Sequence, residues 1–166
     1  MEELRDAGDR GALASLRRGL GKPPGTAAEM YPYVVPWIGE SASPWEEKIC
    51  YIIAPLFALH PDVGGVGNMG EALFKVRQLS NSESIEKRFV ALLRTRAEDL
   101  PDHLRHSVSL CKSKGVPIDW NQLFSDLRYW ESSNRSVQRK WATSFWRNDL
   151  AEEEKENKNG TEEEQK

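Results

Sequence analysis

Apolar residues recur at three- and four-residue intervals along most of the chain, and no alternating β-branched runs bounded by hairpin turns appear. That pattern predicts an all-α protein of about eight helices and no sheet. Asp9 is placed to cap a first helix in which Leu13, Leu16 and Leu20 share one face, with Gly19, Gly21 and Pro23-Pro24-Gly25 ending it. Thr26 with Glu29 and Ser43 with Glu46 have capping-box spacing, and Pro44 falls at a first helical position, where its missing N–H costs least. Pro32, Pro36 and Pro55 each remove a backbone donor and predict kinks or short 3₁₀ pieces in the second and third helices. The run Pro61–Gly67 reads as a connector, because its glycines lack the spacing of a phosphate-binding loop. Helices are then predicted near 69–79, 84–96, 101–114, 120–131 and 134–148, with Pro101 opening one of them and Gly115 closing it.

Short connections between these helices imply packed antiparallel neighbours. We expect two small bundles, an N-terminal one over residues 1–67 and a C-terminal one over 68–150. Trp120, Leu123, Phe124 and Leu127 keep i, i+3, i+4, i+7 spacing behind Asp119 as cap and are expected in the core. From Ala151 onward the chain is Glu, Lys, Asn, Gln, Gly and Thr, which predicts a disordered acidic tail over 151–166. The apolar run Ile49–Leu59 is too short to cross a bilayer, no signal-peptide pattern opens the chain, and a cytoplasmic location is expected. Cys50 and Cys111 lack Cys-x-x-Cys spacing and are expected as small packed residues in a reducing compartment.

The net charge of −3 would argue against a polyanionic partner if it were evenly spread. It is not: residues 1–74 carry ten acids against six bases, 75–147 carry eight acids against fourteen bases, and 151–166 carry seven acids against three bases. The middle segment is compatible with a nucleic-acid surface. Within it, Lys87 and Arg94 lie opposite the Ile85, Phe89, Leu92 and Leu93 side of one helix, with Arg88 on the flank and Arg96 near the end. Arg105 and Lys112 repeat the seven-residue spacing, as do Arg10 and Arg17, next to Arg18 and ahead of Lys22. In the last helix Val137, Trp141 and Phe145 form the apolar stripe, and Arg135, Arg139, Lys140 and Arg147 occupy the other half with Trp146 among them. Arginine forks on such faces suit phosphate oxygens, although an ordinary solvated helix face would carry the same charges. Trp146 either stacks on an unpaired base or packs on a neighbouring helix, and packing is the favoured reading.

Catalytic chemistry finds no support in the pattern. His60, His103 and His106 have no metal-ligand context, and neither a nucleophile elbow nor a cluster of acidic metal ligands is present, so no enzyme activity, cofactor or metal is expected.

The segment Leu16-Arg17-Arg18-Gly19-Leu20-Gly21-Lys22-Pro23-Pro24-Gly25, followed by Tyr31-Pro32-Tyr33-Val34-Val35-Pro36-Trp37, resembles the CasB family, the small subunit of the type I-E CRISPR Cascade complex. Ser84-Ile85-Glu86-Lys87-Arg88-Phe89, Leu104-Arg105, Ile118-Asp119-Trp120 and Val137-Gln138-Arg139-Lys140-Trp141-Ala142 look like later motifs of the same family, in the same order. The resemblance covers residues 10–146. It implies a non-catalytic, two-bundle helical protein of antiviral defence that self-associates head to tail and contacts other Cascade subunits. It also implies a basic, sequence-independent groove steadying guide RNA, target DNA and the displaced strand of the R-loop. Arg17, Arg18, Lys87, Arg88, Arg94 and Arg105 match basic positions of the family motifs, and Lys22, Arg96, Arg139, Lys140 and Arg147 join them on charge pattern. Family members usually carry another amphipathic helix before the double arginine, so the short run ahead of Arg17 points to a late start or truncation there. The rival readings are a helical assembly protein that contacts only other proteins and, more remotely, a nucleic-acid-processing enzyme whose site only the fold assembles.

Overall fold

The computed structural model of the protein describes residues 9–62, 64–80, 82 and 84–147. Among them are eight helices and no strand: α1 (Arg10–Arg17), α2 (Tyr31–Val34), α3 (Pro44–Leu59), α4 (Met69–Ser80), α5 (Ser84–Arg94), α6 (Leu100–Ser113), α7 (Trp120–Arg128) and α8 (136–147). The tail expected to be disordered lies outside the described residues. So does the segment in which an additional leading helix would fall.

Local chemistry accounts for most of the helix starts. The Asp9 carboxylate accepts the Ala12 amide at 2.8 Å and opens α1, and Asp119 does the same for α7 through the Gln122 amide at 2.9 Å. At the start of α3, Ser43 Oγ accepts the Glu46 amide while Glu46 accepts the Ser43 amide at 3.0 Å, completing the expected capping box with Pro44 in the first turn. The other capping box does not form. Thr26 donates its hydroxyl to Pro23 O at 2.7 Å, a local turn bond that takes the side chain away from the helix entrance. The prolines behave in two ways: Pro32 and Pro36 sit in a succession of short pieces, with 3₁₀ turns at Ala28–Met30 and Val35–Trp37 flanking α2. Pro55, by contrast, lies inside an unbroken α3, held by burial of the surrounding apolar turn. Three ends also differ from the pattern: α1 stops at Arg17 and leaves Leu20 in the following turn, α5 stops at Arg94, and α7 stops at Arg128.

The buried apolar residues form one continuous cluster running from Leu13 in α1 through α3 to Phe145 in α8. Helix α3 is its axis, with the whole run Tyr51–Ala58 buried. It packs against α1 on one side and against α6 and α7 on the other. Two contacts lock it to α7: Trp45 Nε1 donates to Leu127 O at 3.0 Å, and Arg128 pairs with Glu46 at 2.6 Å. The second part of the core is aromatic: Phe89 of α5 stacks on Phe145 of α8 at 4.4 Å between centroids, and Trp130 lies 5.0 Å from Trp141. Such ring pairs add about 0.5–1.5 kcal/mol to the burial of their area. Trp141 also donates to Asp126 Oδ2 at 2.7 Å, which satisfies the indole and one buried carboxylate together. At Gly70 a Cβ would stand 2.0 Å from Trp141 O, so glycine is what lets α4 close on α8.

Both cysteines are free, and Cys111 is fully buried. Burial pushes its thiol up to about 12, so it acts as a small apolar residue. His60 is buried too, its Nε2 lying 2.7 Å from Val116 O. None of the described helices is long and apolar enough to cross a membrane.

Candidate nucleic-acid interface

Helix α5 turns Ile85, Phe89 and Leu92 into the core, which aims Lys87 and Arg94 the opposite way and leaves Arg88 on the flank. All three cations are exposed, and so is Arg96, which sits past the helix end in the turn 95–99. Helix α8 runs antiparallel to α5: Phe145 and Trp146 meet Phe89, while Arg135 at its start donates to Leu93 O near the α5 end. Arg135 has a positive φ of 51°. Its guanidinium satisfies a carbonyl that the last turn of α5 leaves open. Trp146 is half-buried at 5.5 Å from Phe89, so its role is packing, as favoured from the sequence.

On α8, Ser136, Arg139, Lys140, Thr143 and Arg147 fall within one face at about 100° per residue, opposite buried Val137, Trp141 and Phe145. Asn68, at the entrance of α4, closes one side of this face and forms with Arg139, Lys140 and Thr143 a shallow depression of about 520 Å³. None of its lining residues is acidic. The side chains of Lys87, Arg88, Arg94, Arg96, Arg139, Lys140 and Arg147 have no hydrogen bond or ion pair among the described residues.

The cations nearer the amino terminus are differently placed. Arg17 Nε donates to Ala58 O at 2.6 Å, fastening α1 to the last turn of α3. Arg18 pairs with Glu29 at 3.4 Å. The Glu29 carboxyl is held below its ordinary value, first by a backbone hydrogen bond and then by the nearby charges of Lys22 and Arg18. Lys22 and Arg105 are brought together, far apart as they are in sequence, on the walls of a cleft of about 460 Å³ whose floor includes Ile52 and Leu56. Arg105 bonds Asp102 at 3.5 Å, and its buried Nε has no acceptor among the described residues. Sequence reasoning missed Lys48, which lines the same cleft. Its signal was weak, a lone base in the acidic first part of the chain. Asn68 was missed too, and an uncharged amide in a connector gives no pattern to read.

Among the described residues no group of three or more His, Cys, Asp or Glu side chains is arranged to hold a metal ion.

The fold and the order of its motifs can be set beside known proteins. The family model for CRISPR-associated protein Cse2 matches residues 12–146. A CRISPR-associated protein Cse2 from Thermus thermophilus is 36% identical over 146 residues, covering 87% of this chain and 83% of that one. The crystal structure of M. ruber CasB superposes with a TM-score of 0.74 at 30% identity, covering 90% of this chain and 92% of that one. A chain of a CRISPR RNA-guided surveillance complex superposes with a TM-score of 0.76 at 26% identity, covering 92% and 91%. With the family match spanning both the proline-rich turn after α1 and the cationic helices α5 and α8, this chain belongs to the CRISPR-associated protein Cse2 family.

Proposed function

We propose that the protein is the non-catalytic small subunit of a type I-E Cascade complex and steadies guide RNA, target DNA and the displaced strand by sequence-independent phosphate contacts. The observation that carries this reading is the set of exposed cations on α5 and α8 that have no protein partner among the described residues. Helix–helix packing fixes their spacing, and arginine forks and lysine ammonium groups at helical intervals suit a phosphate backbone and do not read base edges. A chain with this fold in a CRISPR RNA-guided surveillance complex gives the setting. Lys22 and Arg105 in the cleft, with Arg18 beside it, form a second group for the same backbone. Arg17 joins it only through its remaining guanidinium nitrogens.

Fluorescence anisotropy with unrelated single-stranded and duplex DNA over a range of salt tests the reading. Binding should be indifferent to sequence, with log affinity falling against log salt by about 0.7 per single-strand phosphate contact. Reversing Lys87, Arg88 and Arg94 to glutamate should weaken binding at least about tenfold near 0.1 M salt and flatten that slope by about 2. Unchanged affinity in that variant would remove α5 from the interface.

A second reading, assembly through protein contacts alone, has its own observation: Tyr31, Val35 and Trp37 leave an apolar surface exposed around α2. Head-to-tail self-association through that surface belongs to the same proposal and is checked by light scattering of wild type against Trp37→Ser.

A further inference from the structure

The cleft shared by Lys22 and Arg105 is built from three separate segments. The turn after α1 brings Lys22 and Pro24, α3 brings Lys48 and Tyr51, and α6 brings Pro101 and Arg105. Its volume of about 460 Å³ falls within the range of about 300–1,000 Å³ usual for sites that enclose a small organic group. The space does not end there. Pro24, Lys48 and Tyr51 also line a second depression, of about 420 Å³, that continues toward Tyr31 and Val35, so the two form one trough.

The charges suit an anion of low density. The side chains of Lys22 and Lys48 have no hydrogen bond or ion pair among the described residues, and Lys48 lies over the Trp45 ring at 5.6 Å. Arg105 reaches Asp102 only at 3.5 Å, and its buried Nε lacks an acceptor among the described residues. An oxyanion in the cleft would supply the acceptor that this guanidinium lacks. Against the three bases stand Glu98 and Asp102 in the same lining. That balance favours one phosphodiester joined to an uncharged, flat body over a triphosphate or another dense polyanion. Leu20, Pro24 and Pro101 give such a body an apolar place to lie. A trough that runs on past the cleft suits a polymer better than a free nucleotide.

We propose that the cleft takes one unpaired nucleotide of a single strand, its phosphate among Lys22, Lys48 and Arg105 and its base against Leu20, Pro24 and Pro101. This rests on the nucleic-acid reading above and deepens it. The outer faces of α5 and α8 accept any phosphate backbone, whereas the cleft accepts only a strand whose base is free to turn in. A duplex would first have to unpair and unstack that base. The cleft therefore makes the protein prefer single strands.

Anisotropy titrations on the full-length chain separate the proposal from the reading beneath it. The Lys22→Glu, Lys48→Glu double variant should lose about tenfold in affinity for an unrelated single strand near 0.1 M salt, and about threefold at most for a duplex. For wild type, a single strand whose central nucleotides are abasic, with every phosphate kept, should bind about fivefold more weakly than the intact strand. The double variant should not sense that change. Equal losses on single strand and duplex, or a wild type indifferent to the abasic stretch, overturn the base-in-cleft proposal and leave the phosphate reading in place. Unchanged DNA affinities in a double variant that no longer copurifies with the surveillance complex make the cleft a protein contact and overturn the proposal as well. If wild type binds no DNA at any salt concentration, the nucleic-acid reading itself fails and the proposal with it.

Discussion

The cations at the α1–α3 seam and those on the outer faces of α5 and α8 are the same residue types put to opposite uses. At the seam and around it, Arg17 holds Ala58 O, Arg18 holds Glu29, Arg128 holds Glu46 and Arg105 holds Asp102. On α5 and α8, Lys87, Arg88, Arg94, Arg139, Lys140 and Arg147 hold nothing among the described residues. Helix packing makes the difference. Where two helix ends converge, an open carbonyl captures Arg17, and Arg105 finds Asp102 one turn earlier on α6, whereas on the outer faces of α5 and α8 no such acceptor is within reach. Charge that is already satisfied contributes to stability, and charge left over is available to a partner.

The largest effect expected comes from the inner side of α8, which holds its cationic face in place. Trp141 is fully buried, donates to Asp126 and lies against Trp130. Trp141→Ala should lower unfolding free energy by about 3–5 kcal/mol in urea titrations, because it opens a cavity and strands part of a buried carboxylate. A loss below about 1 kcal/mol would mean that α8 is not anchored as described.

The direct test of the comparison comes next. Arg17→Ala should cost about 1–2 kcal/mol, the loss of a charge-assisted hydrogen bond to a helix end. Replacing Lys87, Arg88 and Arg94 together with glutamine should move stability by no more than about 0.5 kcal/mol per site. Chemical denaturation of both variants measures this, and equal losses per site would erase the distinction between the two sets.

That distinction is where sequence reading runs out. Helix existence was legible from periodicity and caps: Asp9, Ser43 and Asp119 act as read, and Trp120, Leu123 and Leu127 are buried as expected. The resemblance to the CasB family is borne out by the family match. Thr26 failed as a cap because a closer acceptor, Pro23 O, won its hydroxyl. The candidate site was legible only as a list of exposed bases. Arg17 and Lys87 look equally free on a helical wheel, and only the approach of Ala58, forty-one residues away, commits Arg17. The cleft that joins Lys22, Lys48 and Arg105 likewise depends on contacts between distant segments, which no local spacing encodes.

The smallest effect expected is a dependence on pH confined to the paired set. Glu46 accepts from the Ser43 amide and hydroxyl and from Arg128, and its carboxyl is held below the ordinary value of 4.5, first by the backbone hydrogen bond and then by these side chains. A carboxyl whose folded value is depressed contributes stability above its unfolded value and loses that contribution as pH falls through the folded one. Wild type should therefore be more stable than Glu46→Gln at neutral pH, and the two should converge once the medium is more acidic than the folded value. The cations of α5 and α8 have no carboxylate partner among the described residues, so the Lys87, Arg88 and Arg94 glutamine variant should track wild type across the same range. Denaturation midpoints measured from pH 7 downward decide it: a gap between wild type and Glu46→Gln that persisted into strong acid would show that shape or hydrogen bonding, not charge, is what Glu46 gives to α3.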